Sequence, residues 1–412
     1  MTATQDTEVP RAPARPAAGT LRLGLIGLGT VGRALTSLIE EKGLRIEVAS
    51  ILVRDPSRPR AVPVTTDAAR FKSGSYDAVV EAMGGVEPAG SLVTHFLRRG
   101  IPVVTANKAL IAERGEELAE LAAAHGTELR YEAAVAGGIP ILDVIGRSLR
   151  AATVHRIAAV LNATSNVVLT RMARGLRLGR AVEEARRLGF AESDPTLDLS
   201  GVDAAQKLSI LVRRLGGSLP YEQIERTGVG GVTPVDCTRA ARLGYALKPV
   251  AWARLARDSA EAFVAPALVP KRGPLGRADD EANCVVLSTD TVSDLSFSGP
   301  GAGGRATASA ILDDLVAVAG RERAPFSLPP RPLSFRPAVT RWLLVLPLAA
   351  WIDGLLPLLG PVREVRELRE GGLPVIAAVT APLPSERIEA LRTLLRPVRA
   401  VSDVRAFRLL ED

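Results

Sequence analysis

A short apolar strand, a glycine turn and an amphipathic helix follow one another without a break in LRLGLIGLGTVGRALTSLIEEKG, beginning at Leu21. No other feature restricts the fold of this chain as strongly. Gly27, Gly29 and Gly32 stand in the spacing GxGxxG directly between strand and helix. In that context the motif has a mechanism: a tight turn, close backbone approach to a pyrophosphate, and a helix N-terminus facing the negative charge. The backbone at Leu28, Thr30 and Val31 is then expected to line the phosphates. A structural glycine turn is the alternative reading of the same residues.

The downstream pattern supports the first reading. Apolar or β-branched runs at 46–53, 77–82, 101–105 and 128–132 are separated by helical stretches around 90–99 and 115–125. Strands alternating with helices predict an α/β fold, a Rossmann-type doubly wound parallel sheet spanning 21–135. The segments then lengthen, with helical candidates at 141–150 and 181–188 and strand candidates at 154–161 and 284–290. This predicts a mixed α+β domain over 136–304. A second glycine cluster, GPGAGG at 299–304 and including Gly303, precedes a helix near 305–320 that would bring another backbone nest towards the cofactor and complete the nucleotide-binding domain; a flexible turn is the alternative reading. Residues 1–20 read as a disordered tail and 324–337 as a proline-rich linker. Beyond it, strands and helices at 342–346, 348–359, 362–368, 374–381, 385–395 and 401–409 spell a βαββαβ unit within 338–412.

Bulk properties exclude several classes. At 412 residues with 47% hydrophobic content the chain supports two or three domains. The +7 net charge comes from scattered arginines, and aromatics at 4% leave little for base stacking, which argues against nucleic acid. Cys237 and Cys284 are far apart and histidines number three (His95, His125, His155), so neither a disulfide framework nor a zinc site is expected. The apolar run 342–359 is broken by Pro347, Asp353 and Pro357, which argues against a membrane span. A soluble protein of a reducing cytoplasm is the expectation.

GFAESDPTLDLSGVDAAQKL at 189–208 packs Glu192, Asp194, Asp198 and Asp203 ahead of Lys207. Asp203 and Lys207 lie four apart at the head of an apparent helix, which places carboxylate and ammonium on one face. An ordinary solvated ion pair is the alternative. Asp194 needs no chemical role, because Asp-Pro commonly begins a turn. Arg54 follows the second strand, where an arginine pairs with a ribose 2′-phosphate and an acid with the 2′-hydroxyl, so NADP is favoured. Asp55 beside it keeps NAD open.

Taken together, GLGTVG, TANK at 105–108, EAAVAGGIP at 132–140, NATSN at 162–166 and the string E-x-D-P-x-x-D-x-x-G-x-D-x-x-x-K resemble homoserine dehydrogenase in order and spacing. The resemblance covers 21–320. It implies reversible, nicotinamide-dependent interconversion of L-aspartate 4-semialdehyde and L-homoserine, a step towards threonine, methionine and isoleucine. Carried over residue by residue, it makes Lys207 the general acid, and aldehyde reduction does need a proton for the developing alkoxide. Lys108, at a strand end where ligands gather, would bridge substrate and nicotinamide, with Thr105 beside the cofactor; a lysine capping a nearby carbonyl is the alternative. Asp203 would orient the reacting lysine or a water, Glu192 would hold the substrate's amino end, and Asp198 would shape the polar pocket. Glu132 with the carbonyls of Val135, Gly137 and Ile139 falls on the family's monovalent-cation site, normally sodium. The mixed domain would bind substrate and dimerise, giving a homodimer or homotetramer.

The βαββαβ unit resembles an ACT regulatory domain, yet the familiar acidic, Pro-Gly-containing turn before its first helix is replaced by LPLAAWIDGLLPLLG. Feedback binding of threonine is therefore doubtful, and a role in stabilising the oligomer is equally open. Two rivals stand beside the main reading. An NADP-dependent semialdehyde dehydrogenase would need a cysteine nucleophile with a base, and neither cysteine has a suggestive histidine nearby. A dinucleotide-sensing regulatory protein would use the acidic cluster only structurally.

Overall fold

The computed structural model describes residues 19–55, 64–322, 324–325, 330–347, 361–370, 373–395 and 404–411. The tail expected over 1–20 lies outside them except for Gly19 and Thr20, and so does the helix expected at 348–359.

The first region is a six-stranded, wholly parallel sheet. Its members alternate along the chain as β1 (Leu21–Ile26), α1 (Thr30–Glu41), β2 (Ile46–Leu52), β3 (Val64–Thr65), α2 (Ala68–Lys72), β4 (Ala78–Glu81), α3 (Ala89–Arg98), β5 (Val103–Thr105), α4 (Lys108–Ala124) and β6 (Leu129–Arg130). The order β3-β2-β1-β4-β5-β6 reverses direction at β1, so the crevice beyond the carboxyl ends of β1 and β4 is the topological switch point. Strands covered on both faces read as unbroken apolar runs, and every residue of β4 is buried. On one face Leu35, Leu38 and Ile39 of α1 pack with Ala308, Ile311 and Leu315. On the other, Phe96 and Leu97 of α3 meet Leu110, Ile111 and Leu118 of α4.

Two local expectations need correction here. The helix expected at 115–125 begins at Lys108, because Asn107 caps it by accepting the Leu110 amide (3.1 Å). The helix expected at 141–150 has one α turn, Ile141–Asp143, and continues as a π-helix over Val144–Ser148. The short β3–α2 pair had no expectation at all.

The second region is built on a mixed sheet. In chain order it contributes β7 (Val154–Val160), α5 (Ala163–Ala173), α6 (Leu178–Arg187), α7 (Val202–Arg214), α8 (Pro234–Arg242), β8 (Tyr245–Leu255), β9 (Ser259–Pro270), β10 (Ala282–Thr289), β11 (Asp294–Pro300) and α9 (Gly304–Ala319). The strands β12 (Arg341–Pro347), β13 (Val362–Glu370) and β14 (Leu373–Thr380), the helix α10 (Ser385–Leu395) and the strand β15 (Arg405–Leu409) follow. The long hairpin β8–β9 was not foreseen, and it supplies the centre of the sheet. The strand order β11-β10-β7-β8-β9-β15-β12-β14-β13 carries the downstream unit onto the same sheet, through parallel pairing of Ala267 with Arg408 and Leu268 with Leu409. Arg408 is buried at that seam, its guanidinium 4.2 Å from the Phe263 ring centre and 4.6 Å from that of Trp342, and it donates to Glu225 at 2.6 Å.

Candidate active site

The glycine turn is shaped by three different constraints. Gly27 has φ +95°, and a Cβ there would stand 2.8 Å from the Ala82 carbonyl oxygen. A Cβ on Gly32 would stand 2.4 Å from the Gly27 carbonyl oxygen, whereas one on Gly29 would meet nothing within 4 Å. The first and third glycines therefore serve close packing, and the second leaves a bare backbone at the mouth of a cleft. That cleft, about 550 Å³, is lined by Gly27, Leu28, Gly29, Arg54, Lys72 and Met83 among others. Gly29 is the N-cap of α1 and no side chain caps the helix, so first-turn amides at Thr30 and Val31 remain for an anion. Arg54 is exposed on the cleft wall, at the end of β2. Gly303, with φ +110°, is the N-cap of α9, and a Cβ on the adjacent Gly304 would fall 2.8 Å from the Thr30 carbonyl oxygen. The two glycine clusters are thus in contact.

Thr105 is fully buried. Its hydroxyl donates to Glu81 at 2.6 Å and accepts the Asn107 amide at 3.0 Å, so any contact it makes with a cofactor is through its backbone. The equally buried Glu81 also accepts the amides of Met83 (2.8 Å) and Gly84 (3.1 Å), fixing the loop after β4.

The acid/base cluster forms where the first region meets the second. Asp203, in the first turn of α7 and 4% exposed, receives Lys207 Nζ on Oδ2 at 2.8 Å and faces Lys108 Nζ across Oδ1 at 3.1 Å. Burial alone would raise its carboxyl; the ammonium groups of Lys207 and Lys108 outweigh this and hold it well below the usual carboxylate range. Lys108 is held above its ordinary value by the Asp203 charge against the cost of its own burial, with smaller help from Asp198 and Glu192. Lys207 also donates to the Leu161 carbonyl at 2.8 Å. An ammonium has three donors, so one is left for a ligand.

Asn162 joins the two acids. Its Nδ2 lies 2.7 Å from both Asp198 Oδ1 and Asp203 Oδ2, while its Oδ1 accepts the Ser165 amide at 2.7 Å as N-cap of α5. Thr164 donates to Asp198 Oδ2 at 3.1 Å, and burial followed by the Asp203 charge pushes the Asp198 carboxyl up. Glu192 is exposed at the rim. Asp194 accepts the Thr196 amide at 3.1 Å, in a turn. NATSN was read only as part of a pattern, and roles for Asn162 and Thr164 were missed: amide and hydroxyl bridges leave no periodicity or charge signal.

The loop after Glu132 turns through Ala136 (φ +57°) and Gly137 (φ +60°). A Cβ on Gly137 would come within 2.8 Å of the Gly301 backbone, so this loop is pressed against the second glycine cluster. Both Glu132 oxygens accept amides, from Leu142 (2.9 Å) and Asp143 (2.7 Å). The Ile139 carbonyl accepts the Ile141 amide at 2.8 Å. Burial raises Glu132 to about 8, with nearby Asp314 adding to the effect. Among the described residues no group of three or more His, Cys, Asp or Glu side chains is placed to hold a metal, and no helix is long and apolar enough to cross a membrane.

A nucleotide cleft at a sheet switch point, together with two lysines gathered on the buried Asp203 carboxylate, defines an NAD(P)-dependent oxidoreductase acting on a CH–OH group. Known proteins agree. Residues 27–132 match the model "Homoserine dehydrogenase, NAD binding domain" and residues 140–316 the model "Homoserine dehydrogenase". The Bacillus subtilis homoserine dehydrogenase is 35% identical over 315 residues, 72% of each chain, and the Synechocystis enzyme 37% identical over 319 residues, 73% of this chain and 74% of its own. The crystal structure of a homoserine dehydrogenase from Thiobacillus denitrificans superposes with a TM-score of 0.84 at 31% identity, covering 95% of this chain and 98% of that one. A hyperthermophilic archaeal homoserine dehydrogenase in complex with NADPH gives 0.63 at 28% identity, covering 74% and 99%. The chain belongs to the homoserine dehydrogenase family.

Proposed function

We propose that Lys207 delivers the proton, and Lys108 helps hold the substrate oxygen, in an NADP-dependent reduction of L-aspartate 4-semialdehyde to L-homoserine. The observation that carries this reading is the grip of Asp203 on both ammonium groups, one per carboxylate oxygen. A carboxylate so strongly ionised holds both lysines in place, leaving one Lys207 N–H for the developing alkoxide. Bound nicotinamide supplies the hydride, or accepts it in reverse. Glu192, exposed at the rim, faces the substrate ammonium, and Asp198, steadied by Asn162 and Thr164, completes the polar wall. Cofactor contacts fall to Gly27, Leu28, Gly29, Thr30, Val31, Gly32 and Gly303, with Thr105 and Lys108 at the nicotinamide end.

Arg54 on the cleft wall supports NADP over NAD, since a guanidinium suits the 2′-phosphate. One carboxylate and three carbonyls form a hard oxygen set, and a buried Glu132 with Asp314 close by gains from a cation, so Glu132, Val135, Gly137 and Ile139 suit sodium. The antiparallel order of β15, β12, β14 and β13 favours an ACT-like unit whose place is in subunit association, within a homodimer or homotetramer. Domain boundaries near 135 and 304, with α9 returning to the nucleotide domain, accord with the packing of Ile311 and Leu315 on α1. A cytoplasmic setting suits two free, buried cysteines.

The decisive assay follows reduced-cofactor absorbance with homoserine, comparing NADP and NAD in sodium and in sodium-free buffer. Faster turnover with NADP and with sodium is expected. Equal rates with both cofactors, or indifference to sodium, would remove those parts of the reading.

A further inference from the structure

Among the described residues, four arginines and no carboxylate line a cavity of about 510 Å³ that shares no residue with the acid/base cluster. Arg150 comes from the loop before β7, Arg214 from the last turn of α7, Arg257 from the turn between β8 and β9, and Arg331 from the segment paired with Gly217. Leu149, Leu215, Leu255 and Leu333 give it an apolar floor. Helix α7 carries Asp203 in its first turn, Lys207 at its middle and Arg214 at its end, so along the axis Arg214 lies ~16 Å from Asp203 and ~10 Å from Lys207.

Arg214 is 7% exposed, and its guanidinium donates to the carbonyls of Leu142 (3.0 Å) and Pro325 (3.2 Å). Arg150 donates to the Arg147 carbonyl at 3.2 Å. Neutral carbonyls fix these side chains without cancelling their charge. Arg150, Arg257 and Arg331 are exposed. Two acids lie close by but outside the lining: Asp290 accepts the Thr153 amide at 2.8 Å, and Asp258 follows Arg257 in the chain.

Guanidinium groups stay charged at every physiological pH, so four of them around one concavity repel one another and concentrate anions from solution. Their forked donors match phosphate oxygens two at a time. The volume falls inside the usual range of small-molecule sites, ~300–1,000 Å³. We propose that this cavity binds a small phosphate ester carrying at least two phosphate charges, its charged end on Arg257, Arg331 and Arg150 and its uncharged body against the leucine floor. Arg214, 7% exposed and held in place by two carbonyls, adds its charge from the wall.

The test uses the full chain loaded with reduced cofactor and homoserine, a pair that cannot react and that fills the nucleotide and substrate sites. Equilibrium dialysis with labelled inorganic pyrophosphate should then show one further saturable site per chain, weakening as salt rises. In the Arg257→Ala/Arg331→Ala variant, affinity for pyrophosphate should fall at least ~30-fold, as expected for losing two charge-assisted contacts, with basal turnover and cofactor affinity unchanged. No saturable binding to the loaded protein overturns the proposal, as does equal affinity in the variant. A variant whose oligomeric mass changes on light scattering, without pyrophosphate binding in the parent, assigns the arginines to a subunit contact and overturns it as well.

Discussion

Lys108, the first residue of α4, stands 3.1 Å from Asp203 of helix α7, and this pair joins the two regions at the point where chemistry is expected. Asp203 is nearly inaccessible while Lys108 is partly open. The carboxylate is therefore the fixed member, and the lysine is the member able to turn towards a ligand.

Lys207→Ala should lower kcat by ~10²–10⁴-fold, the usual worth of a positioned general acid. Binding of the reduced cofactor, followed by fluorescence titration, should change little. A matching loss of nucleotide affinity would contradict the assignment of Lys207 to the proton.

Asp203→Asn leaves two ammonium groups without their common partner. Breaking a buried pair from one side costs about 3–5 kcal/mol, and the urea midpoint should fall accordingly. Turnover should fall with it, and added salt should not restore either. A variant as stable as the parent would show that Lys108 and Lys207 find other acceptors.

Arg54→Ala should raise the KM for NADP by ~10–100-fold, corresponding to one charge-assisted bond to phosphate, and leave the KM for NAD nearly constant. Steady-state rates with the two cofactors give the ratio directly. Equal weakening would mean that Arg54 does not touch a 2′-phosphate.

Burial raises Glu132 to about 8 and Asp314 to about 7, from ordinary values of 4.5 and 3.8. Both folded values exceed the unfolded ones, so the folded chain binds more protons in between. Their contribution is complete below about pH 4 and is lost as pH rises through 7 and 8. In sodium-free buffer the melting temperature should fall from about pH 4 to about pH 8 and level off above it, the window those values set. Asp314→Asn should flatten the decline. An unchanged slope in that variant would place the titration elsewhere.

The nucleotide site was legible because its requirements are written in residue types. Gly27 and Gly32 have no space for a Cβ, and Arg54 follows a strand whose apolar run is plain. The Asp203–Lys207 pair was legible from helical spacing, since positions four apart share a face. Lys108 as the partner of Asp203 was not, because nothing in either segment encodes which strand end a distant helix will face. Asn162 escaped for a similar reason: its two carboxylate contacts exist only after α5 and α7 have docked. The C-terminal strands were legible one by one, but their union with the central sheet was not. Backbone pairing between Leu268 and Leu409 depends on edges left open, not on side-chain pattern.

Strand β15 sits between β9 and β12 although it is made long after the first of them. A growing chain can therefore pair Phe263 and Val264 of β9 with Glu225 and Arg226 early, yet must keep Ala267 and Leu268 unpaired on that margin until Arg405–Leu409 emerges from the ribosome. Premature termination upstream would leave those two positions bare and strip the Arg408 guanidinium from the face of the Phe263 ring, exposing an aromatic surface that the complete chain covers.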